Sequence, residues 1–342
     1  MARVTIIGMD TVGGSLGMAL QQAKVQGEGG AKGENIQVMG YDEDSRALRE
    51  AHVRGAAGQV TDDLEEAVRE ADLVVISTPA QTVGETLHAI GPLVPAGCIV
   101  TDTASSKIEV MRWAQEFLPP GVGFIGGHPI FAPEQEVDWA AGIKGASAGF
   151  LREAIYCLIP GPHASERTVS TVTGLVHLVG ASPYFLDAAE HDGLLAGVSH
   201  VPDLLAAVML RTMAASPSWR ELKLLADPSF RHLSWLLSRR PAELQQAWLA
   251  NRQPILSWLD RVIAALGEVR EEVADEKSTG ESLLDLLEEA GAARRDWIKR
   301  RDEREGEAGS DIMPQVETAG QQAMHMFVPR FFRRRKTEEE EE

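Results

Sequence analysis

The stretch Arg3-Val4-Thr5-Ile6-Ile7-Gly8-Met9-Asp10-Thr11-Val12-Gly13-Gly14-Ser15-Leu16-Gly17 decides how the chain is read. A β-branched apolar run breaks into a glycine turn and then into a helix of small residues, which is how a parallel sheet begins where a phosphate is to sit at a helix N-terminus. In the fingerprint G-x-G-x-x-G the first glycine makes the tight turn, the second admits backbone to a pyrophosphate, and the third packs helix on strand. Gly8 and Gly13 fill the first and third places, and Asp10 stands in the second.

Downstream, 27–35 reads as a surface loop, and the strand Ile36 to Tyr41 ends at Asp42. A carboxylate closing the second strand accepts hydrogen bonds from ribose hydroxyls and repels a 2′-phosphate, which favours NAD over NADP. An aspartate that only caps the next helix is the rival reading. Apolar strands at 71–79 and 99–102 alternate with an amphipathic segment, Val83 to Ile90, so the sheet is parallel and its ligands collect beyond the strands' carboxyl ends. Thr78, Pro79, Asp102, Ser105, Ser106, Lys107 and His128 are therefore expected to face one crevice. In Gly126-Gly127-His128-Pro129 the histidine is pinned by glycines and proline, where it can take a proton from an alcohol while hydride leaves the same carbon. The run Ile155 to Pro160, a helix to about Val179 and Tyr184-Phe185-Leu186 complete an α/β, Rossmann-like, mostly parallel sheet domain over residues 1–187.

Residues 188–304 read as all-helical. His191-Asp192 heads an apolar helix, Leu194 to Met213, whose periodicity brings Asp192 and Asp203 near one face with His200 within a turn's width, so these groups can converge on a pocket. A further helix starts at Pro241 and runs past Asn251-Arg252 towards Val269, and another spans Glu281 to Glu303. Long apolar helices after such a sheet imply a homodimer. Residues 305–342, with a basic aromatic run and five terminal glutamates, read as a disordered tail.

With 33 Lys+Arg against 51 Asp+Glu, the net charge of −18 excludes nucleic acid as a partner of the body and favours a small-molecule ligand. Cys98 and Cys157 sit in apolar surroundings, as buried inert thiols of a reducing compartment do. No signal peptide is read and no apolar run reaches the roughly 18 residues of a membrane span, so a cytoplasmic protein without stable membrane insertion is expected. No metal site is expected.

Taken together, these residues resemble the prephenate and arogenate dehydrogenase family of tyrosine biosynthesis, from about Val4 to Arg301. The resemblance rests on Gly8 through Leu16, Gly40-Tyr41-Asp42, Ser77-Thr78-Pro79, Thr101-Asp102 with Ser105 and Lys107, Gly127 to Phe131, His191-Asp192, Ser199 to Pro202, and Asn251-Arg252. It implies a helical dimerisation domain and an NAD(P)-dependent oxidative decarboxylation of a cyclohexadienyl substrate: hydride leaves the ring carbon bearing the hydroxyl, carbon dioxide leaves the opposite carbon, and the ring becomes aromatic. By the resemblance His128 is the catalytic histidine, Ser105 aligns it with substrate and nicotinamide, and Asp192 and His200 lie near the substrate.

Three residues depart from the family. A carboxylate at Asp10 about 4 Å from a pyrophosphate charge, at an effective dielectric near 20, would cost on the order of 4 kcal/mol, an upper bound if Asp10 turns to cap the helix at Val12 and Gly13. Trp235 stands where the family keeps an arginine for the substrate's ring carboxylate, leaving Arg231, Arg239 or Arg240 to substitute. Asp203 replaces a histidine of prephenate-using relatives; an acid there pairs with the ammonium of arogenate and repels the keto-acid side chain of prephenate, although a helix-dipole aspartate is an equal reading. The departures leave open a divergent dehydrogenase of another hydroxy acid, or a non-catalytic binding or regulatory relative.

Overall fold

A computed structural model describes residues 2–26, 36–132, 137–161, 164–239 and 241–306. The expected loop at 27–35, Arg240 and most of the expected tail lie outside the described residues.

The strands are β1 (Ala2–Ile7), β2 (Ile36–Tyr41), β3 (Gln59–Thr61), β4 (Leu73–Ile76), β5 (Ile99–Asp102), β6 (Gly123–Ile130), β7 (Ile155–Pro160) and β8 (Ser182–Phe185). They form one sheet in the order β3-β2-β1-β4-β5-β6-β7-β8, parallel except where β7 runs against β6. Helices α1 (Thr11–Gln26), α2 (Ser45–Val53), α3 (Leu64–Val68), α4 (Val83–Ile90), α5 (Ile108–Phe117) and α6 (Glu166–Leu178) connect them. β4 and β5 are buried at every position, as strands covered on both faces must be, which is why they read as continuous apolar runs. The short β3 and α3 escape sequence reading because three and five residues show no period.

β1 lies between β2 and β4, so the chain reverses direction across the sheet there and a crevice opens at the strands' carboxyl ends. Gly8 turns at φ +97°, and a Cβ on it would lie 2.4 Å from the Ser77 carbonyl oxygen. Only glycine permits that turn against the end of β4. A Cβ on Gly13 would lie 1.9 Å from the Gly8 carbonyl oxygen, so the third fingerprint position does pack helix on strand.

The second half is helical among the described residues: α7 (Ala188–Leu195), α8 (Val201–Ala214), α9 (Trp219–Leu224), α10 (Pro228–Trp235), α11 (Pro241–Ala250), α12 (Arg252–Ala274) and α13 (Glu281–Gly306). Two expectations are corrected here. The helix expected from Leu194 begins at Ala188, and a π-turn at Ala196–His200 joins α7 to α8. Pro202 follows that turn; its ring would clash with the carbonyl four residues back in a regular helix, and the wider turn makes room. The helix expected to run through Asn251 is broken there, at φ −114° and ψ 36°, into α11 and α12.

A third correction concerns length. Ala188–Ala214 is 27 residues long, with a window of mean hydropathy 1.6 that is 28% buried, so by length and composition it does reach a membrane span. His191, Asp192, His200 and Asp203 interrupt the run in sequence, but all four are buried inside the protein. The outer face is left to Leu194, Val198, Val208 and Met209, all exposed, and Ile263 and Leu266 of α12 are exposed as well. That face suits burial against another subunit.

Candidate active site

The cofactor side of the crevice is built from β1, α1, β2 and β4. Asp10 does turn to cap α1: its Oδ1 accepts from the Val12 and Gly13 amides at 2.9 and 3.0 Å. Those are the amides a helix N-terminus offers to an anion, so Asp10 holds the donors that a phosphate would use. Asp42 is also engaged, its Oδ2 accepting from Met9 N–H at 2.8 Å and its Oδ1 from Asp44 N–H at 2.8 Å. The capping rival is set aside, because Asp44 is the residue that caps α2. Asp42 instead ties the end of β2 to the glycine turn. Thr78 is half-buried with its hydroxyl unpartnered among the described residues, and Pro79 is exposed.

Asp102 does not belong with these residues. It is fully buried at the end of β5, where its Oδ2 contacts Lys107 Nζ at 2.5 Å and accepts from Ala104 N–H at 2.9 Å, and its Oδ1 accepts from Gly127 N–H at 3.0 Å. The expectation that Asp102 faces the crevice, where it could touch the cofactor, is therefore corrected. A carboxylate with all its bonding directed inward locks strand ends together. Lys107 is equally buried and also donates to the Gly127 carbonyl at 2.7 Å; burial pulls its ammonium below the usual range, and Asp102 opposes the shift. The pair brackets Gly127 and so fixes the strand residue just before His128. Ser106 is buried too, whereas Ser105 is half-buried in the turn after β5, and no hydrogen bond joins it to His128 among the described residues.

His128 stands where β6 meets the helical half. Its Nδ1 is 3.0 Å from Nε2 of His191, and His191 Nδ1 is 2.8 Å from Oδ1 of Asp192. Asp192 also accepts the Lys107 and Ile108 amides at 2.8 and 2.9 Å, which places a carboxylate from α7 at the N-terminus of α5. Burial, then the neighbouring His191, Lys107, Arg239 and His200, hold the His128 imidazole well below its usual pKa. His128 is neutral at pH 7, the state a proton acceptor needs.

Asn251, freed from the helix axis by the break between α11 and α12, donates from its Nδ2 to the Asp192 carbonyl at 2.7 Å and lies 3.1 Å from His200 Nδ1. With both amide protons placed, His200 Nδ1 is an acceptor and the ring proton is on Nε2. Burial first and the charge of Arg239 second lower His200 to about 4, so it serves as a neutral donor. Asp203 is 2% exposed, its Oδ2 lacks a hydrogen-bond partner among the described residues, and Arg239 Nη1 approaches that oxygen at 3.7 Å. Burial raises Asp203 to about 6 against the pull of Arg239. Asp192, His200 and Asp203 do share one neighbourhood, through Asn251 and Arg239.

Of the arginines considered for the missing carboxylate fork, Arg239 is the one whose charge reaches the histidines. Arg231 is exposed on α10 and Trp235 is 44% exposed, so neither is drawn into the cluster. His191 was not singled out in sequence beyond its place beside Asp192. Its adjacency to a carboxylate was visible, but its partner His128 lies 63 positions away.

Residues 30–184 match the description "Prephenate dehydrogenase, nucleotide-binding domain" and residues 187–289 match "Prephenate dehydrogenase, dimerization domain". The chain belongs to the prephenate dehydrogenase family. The first match begins beyond the glycine turn, the region where Asp10 departs. Among curated relatives, the cyclohexadienyl dehydrogenase of Zymomonas mobilis is 26% identical over 85% of this chain and 94% of its own length. The prephenate dehydrogenase of Bacillus subtilis is 26% identical over 80% and 70%. The fold is that of prephenate dehydrogenase from Aquifex aeolicus, solved with hydroxyphenyl propionate and NAD+ (TM-score 0.75, 21% identity, 86% of this chain and 98% of that one). It is also that of Synechocystis arogenate dehydrogenase (TM-score 0.70, 23% identity, 86% and 99%).

Proposed function

We propose that the chain is an NAD-dependent oxidoreductase of tyrosine biosynthesis that decarboxylates a cyclohexadienyl acid, with arogenate preferred to prephenate. The family membership and the neutral His128 at the crevice support the reaction class. The observation that carries the substrate preference is Asp203, a buried carboxylate whose Oδ2 lacks a hydrogen bond among the described residues and has Arg239 Nη1 3.7 Å away. A buried charge without full partners is unfavourable, and an ammonium group would supply what it lacks.

The glycine turn at Gly8, the N-terminus of α1, where Asp10 would have to yield the Val12 and Gly13 amides, and Asp42 at the end of β2 would hold NAD, which when bound supplies the hydride acceptor. His128 accepts the hydroxyl proton as hydride departs from the same carbon. His200 donates from Nε2, Arg239 takes a substrate carboxylate, and Asp203 takes the side-chain ammonium. Ser105 aligns the reacting groups. The chain works as a homodimer through its exposed helical face, in the cytoplasm, where the buried thiols of Cys98 and Cys157 stay reduced.

Steady-state NADH absorbance with each substrate tests the reading. kcat/KM for arogenate is expected to exceed that for prephenate by about tenfold or more, the equivalent of about 1.4 kcal/mol. Equal values, or a preference for prephenate, would overturn the assignment of Asp203. Calorimetric titration that fails to saturate with millimolar NAD would favour the non-catalytic reading, which Asp10 on the helix amides supports.

A further inference from the structure

We propose that His191 and Asp192 act with His128 as one hydrogen-bonded chain in which the helical half sets which nitrogen of the base is free. This rests on the reading of His128 as proton acceptor, and it assigns His191 a positioning role.

Both Asp192 oxygens accept backbone amides at the N-terminus of α5, Oδ1 from Lys107 at 2.8 Å and Oδ2 from Ile108 at 2.9 Å. Oδ1 is thus already an acceptor, so the His191 nitrogen 2.8 Å from it, Nδ1, is the donor and carries a proton. A neutral His191 then has a bare Nε2. That bare nitrogen lies 3.0 Å from His128 Nδ1, which can bond to it only by donating. His128 is thereby fixed with its proton on Nδ1 and its lone pair on Nε2, the nitrogen left for the reacting hydroxyl. When His128 takes up that proton, its Nδ1–H can strengthen its bond to His191 or pass along it, and Asp192 stabilises the positive charge at either ring.

The chain crosses the molecule. His128 belongs to β6 of the sheet, whereas His191 and Asp192 belong to α7 of the helical half, and Asp192 grips α5 of the sheet with the same carboxylate that orients His191. Docking of α7 on α5 and selection of the working tautomer are therefore one event. His191 and Asp192 are fully buried, and a group buried without bonds would be costly, so the three-part chain also accounts for polar residues in that position. Among the described residues, the groups besides His191 whose charge acts on His128 are Lys107, Arg239 and His200, and none of these offers its Nδ1 an acceptor: an ammonium, a guanidinium and a ring already bonded to Asn251.

The test is nitrogen-15 spectroscopy of histidine-labelled protein, with kinetics alongside. In the unsubstituted chain above pH 7, His128 is expected to carry its proton on Nδ1. In His191→Phe the population is expected to move to Nε2–H, with kcat down by about a hundredfold and KM changed by about twofold at most. His191→Gln, whose amide oxygen can accept from His128, is expected to restore the tautomer and most of kcat. A His128 proton found on Nε2 in the unsubstituted chain, or a tautomer unmoved in both variants, overturns the proposal. The spectra need no turnover, so they report on this chain of bonds even if neither cyclohexadienyl acid is oxidised and the reading of function fails.

Discussion

The two walls of the crevice handle their polar groups in opposite ways. On the cofactor wall the carboxylates are satisfied by the chain's own backbone: Asp10 by the amides of Val12 and Gly13, Asp42 by those of Met9 and Asp44. On the substrate wall the side chains hold one another, His128 to His191 to Asp192 and Asn251 to His200, while Asp203 Oδ2 and Asn251 Oδ1 lack hydrogen bonds among the described residues. A ligand at the first wall must exchange bonds that already exist, so little net energy is gained there. A ligand at the second meets groups already oriented, which is where rate and selectivity are generated. Substitutions on the cofactor wall should thus move affinity modestly, and those on the substrate wall should move rate or preference steeply.

The largest effect is expected from His128→Asn, which removes the proton acceptor. kcat should fall by about a thousandfold with KM for either ligand nearly unchanged, read by NADH absorbance, while the melting temperature stays close to that of the parent. A variant that lost NAD affinity instead would move His128 to the other wall and break the comparison.

Selectivity comes next. Asp203→His should reverse the preference between arogenate and prephenate, a swing of about a hundredfold in the ratio of kcat/KM if one attraction becomes one repulsion. Arg239→Gln should raise KM for both substrates, because both carry the ring carboxylate, and it should push the Asp203 carboxyl further above about 6 by removing the charge that restrains it. Unchanged KM values would return the role of carboxylate anchor to an exposed residue such as Arg231.

Sequence reading reached the cofactor wall more fully than the substrate wall, and the reason is locality. The turn at Gly8, the packing of Gly13 and the Asp10 cap all arise among residues within about one helical turn of each other, where spacing alone dictates geometry. His128 was legible as well, because glycines and proline around a strand end mark it. Asp102 misled because a carboxylate at a strand end looks the same in sequence whether it faces the crevice or a buried lysine. The link from His128 to His191 spans 63 positions, and the Asn251 bond to His200 spans 51. No period announces a π-turn or a break at one asparagine; both follow from packing α7 and α8 against α12, where a Cβ on Gly197 would lie 2.7 Å from the Trp258 ring.

On the substrate wall, pH dependence separates the two substrates by sign. Asp203 titrates near 6 in the folded chain, so it is neutral below that pH and attracts an ammonium only above it. KM for arogenate is expected to fall as pH rises through about 6, and KM for prephenate is expected to rise over the same interval. The same shift makes the folded chain hold a proton that the unfolded chain releases near 3.8; the stability it contributes is complete below 3.8 and is lost as pH rises through about 6. Profiles for the two substrates that run in parallel would place the titrating group elsewhere.

The smallest effect, and the one that bears most directly on the cofactor wall, is expected at Asp10. Asp10→Gly frees the Val12 and Gly13 amides and removes a negative charge from the place where the pyrophosphate charge would come. NAD should bind about tenfold more tightly, well short of the upper bound set by the bare Coulomb cost, because the cap already directs the carboxylate to its own helix. The same change deletes the cap and should lower stability by about 1 kcal/mol. Asp10→Asn divides the two contributions, since the amide oxygen still caps while the charge is gone. If Asn gives the full gain in affinity with no loss of stability, repulsion was the obstacle. If only Gly gives it, the obstacle was occupancy of the amides, and the polar groups of this wall are in direct competition with the ligand. A dissociation constant unchanged in both variants would mean that the pyrophosphate never meets these amides, and the contrast between the walls would then have to be drawn at Asp42 alone.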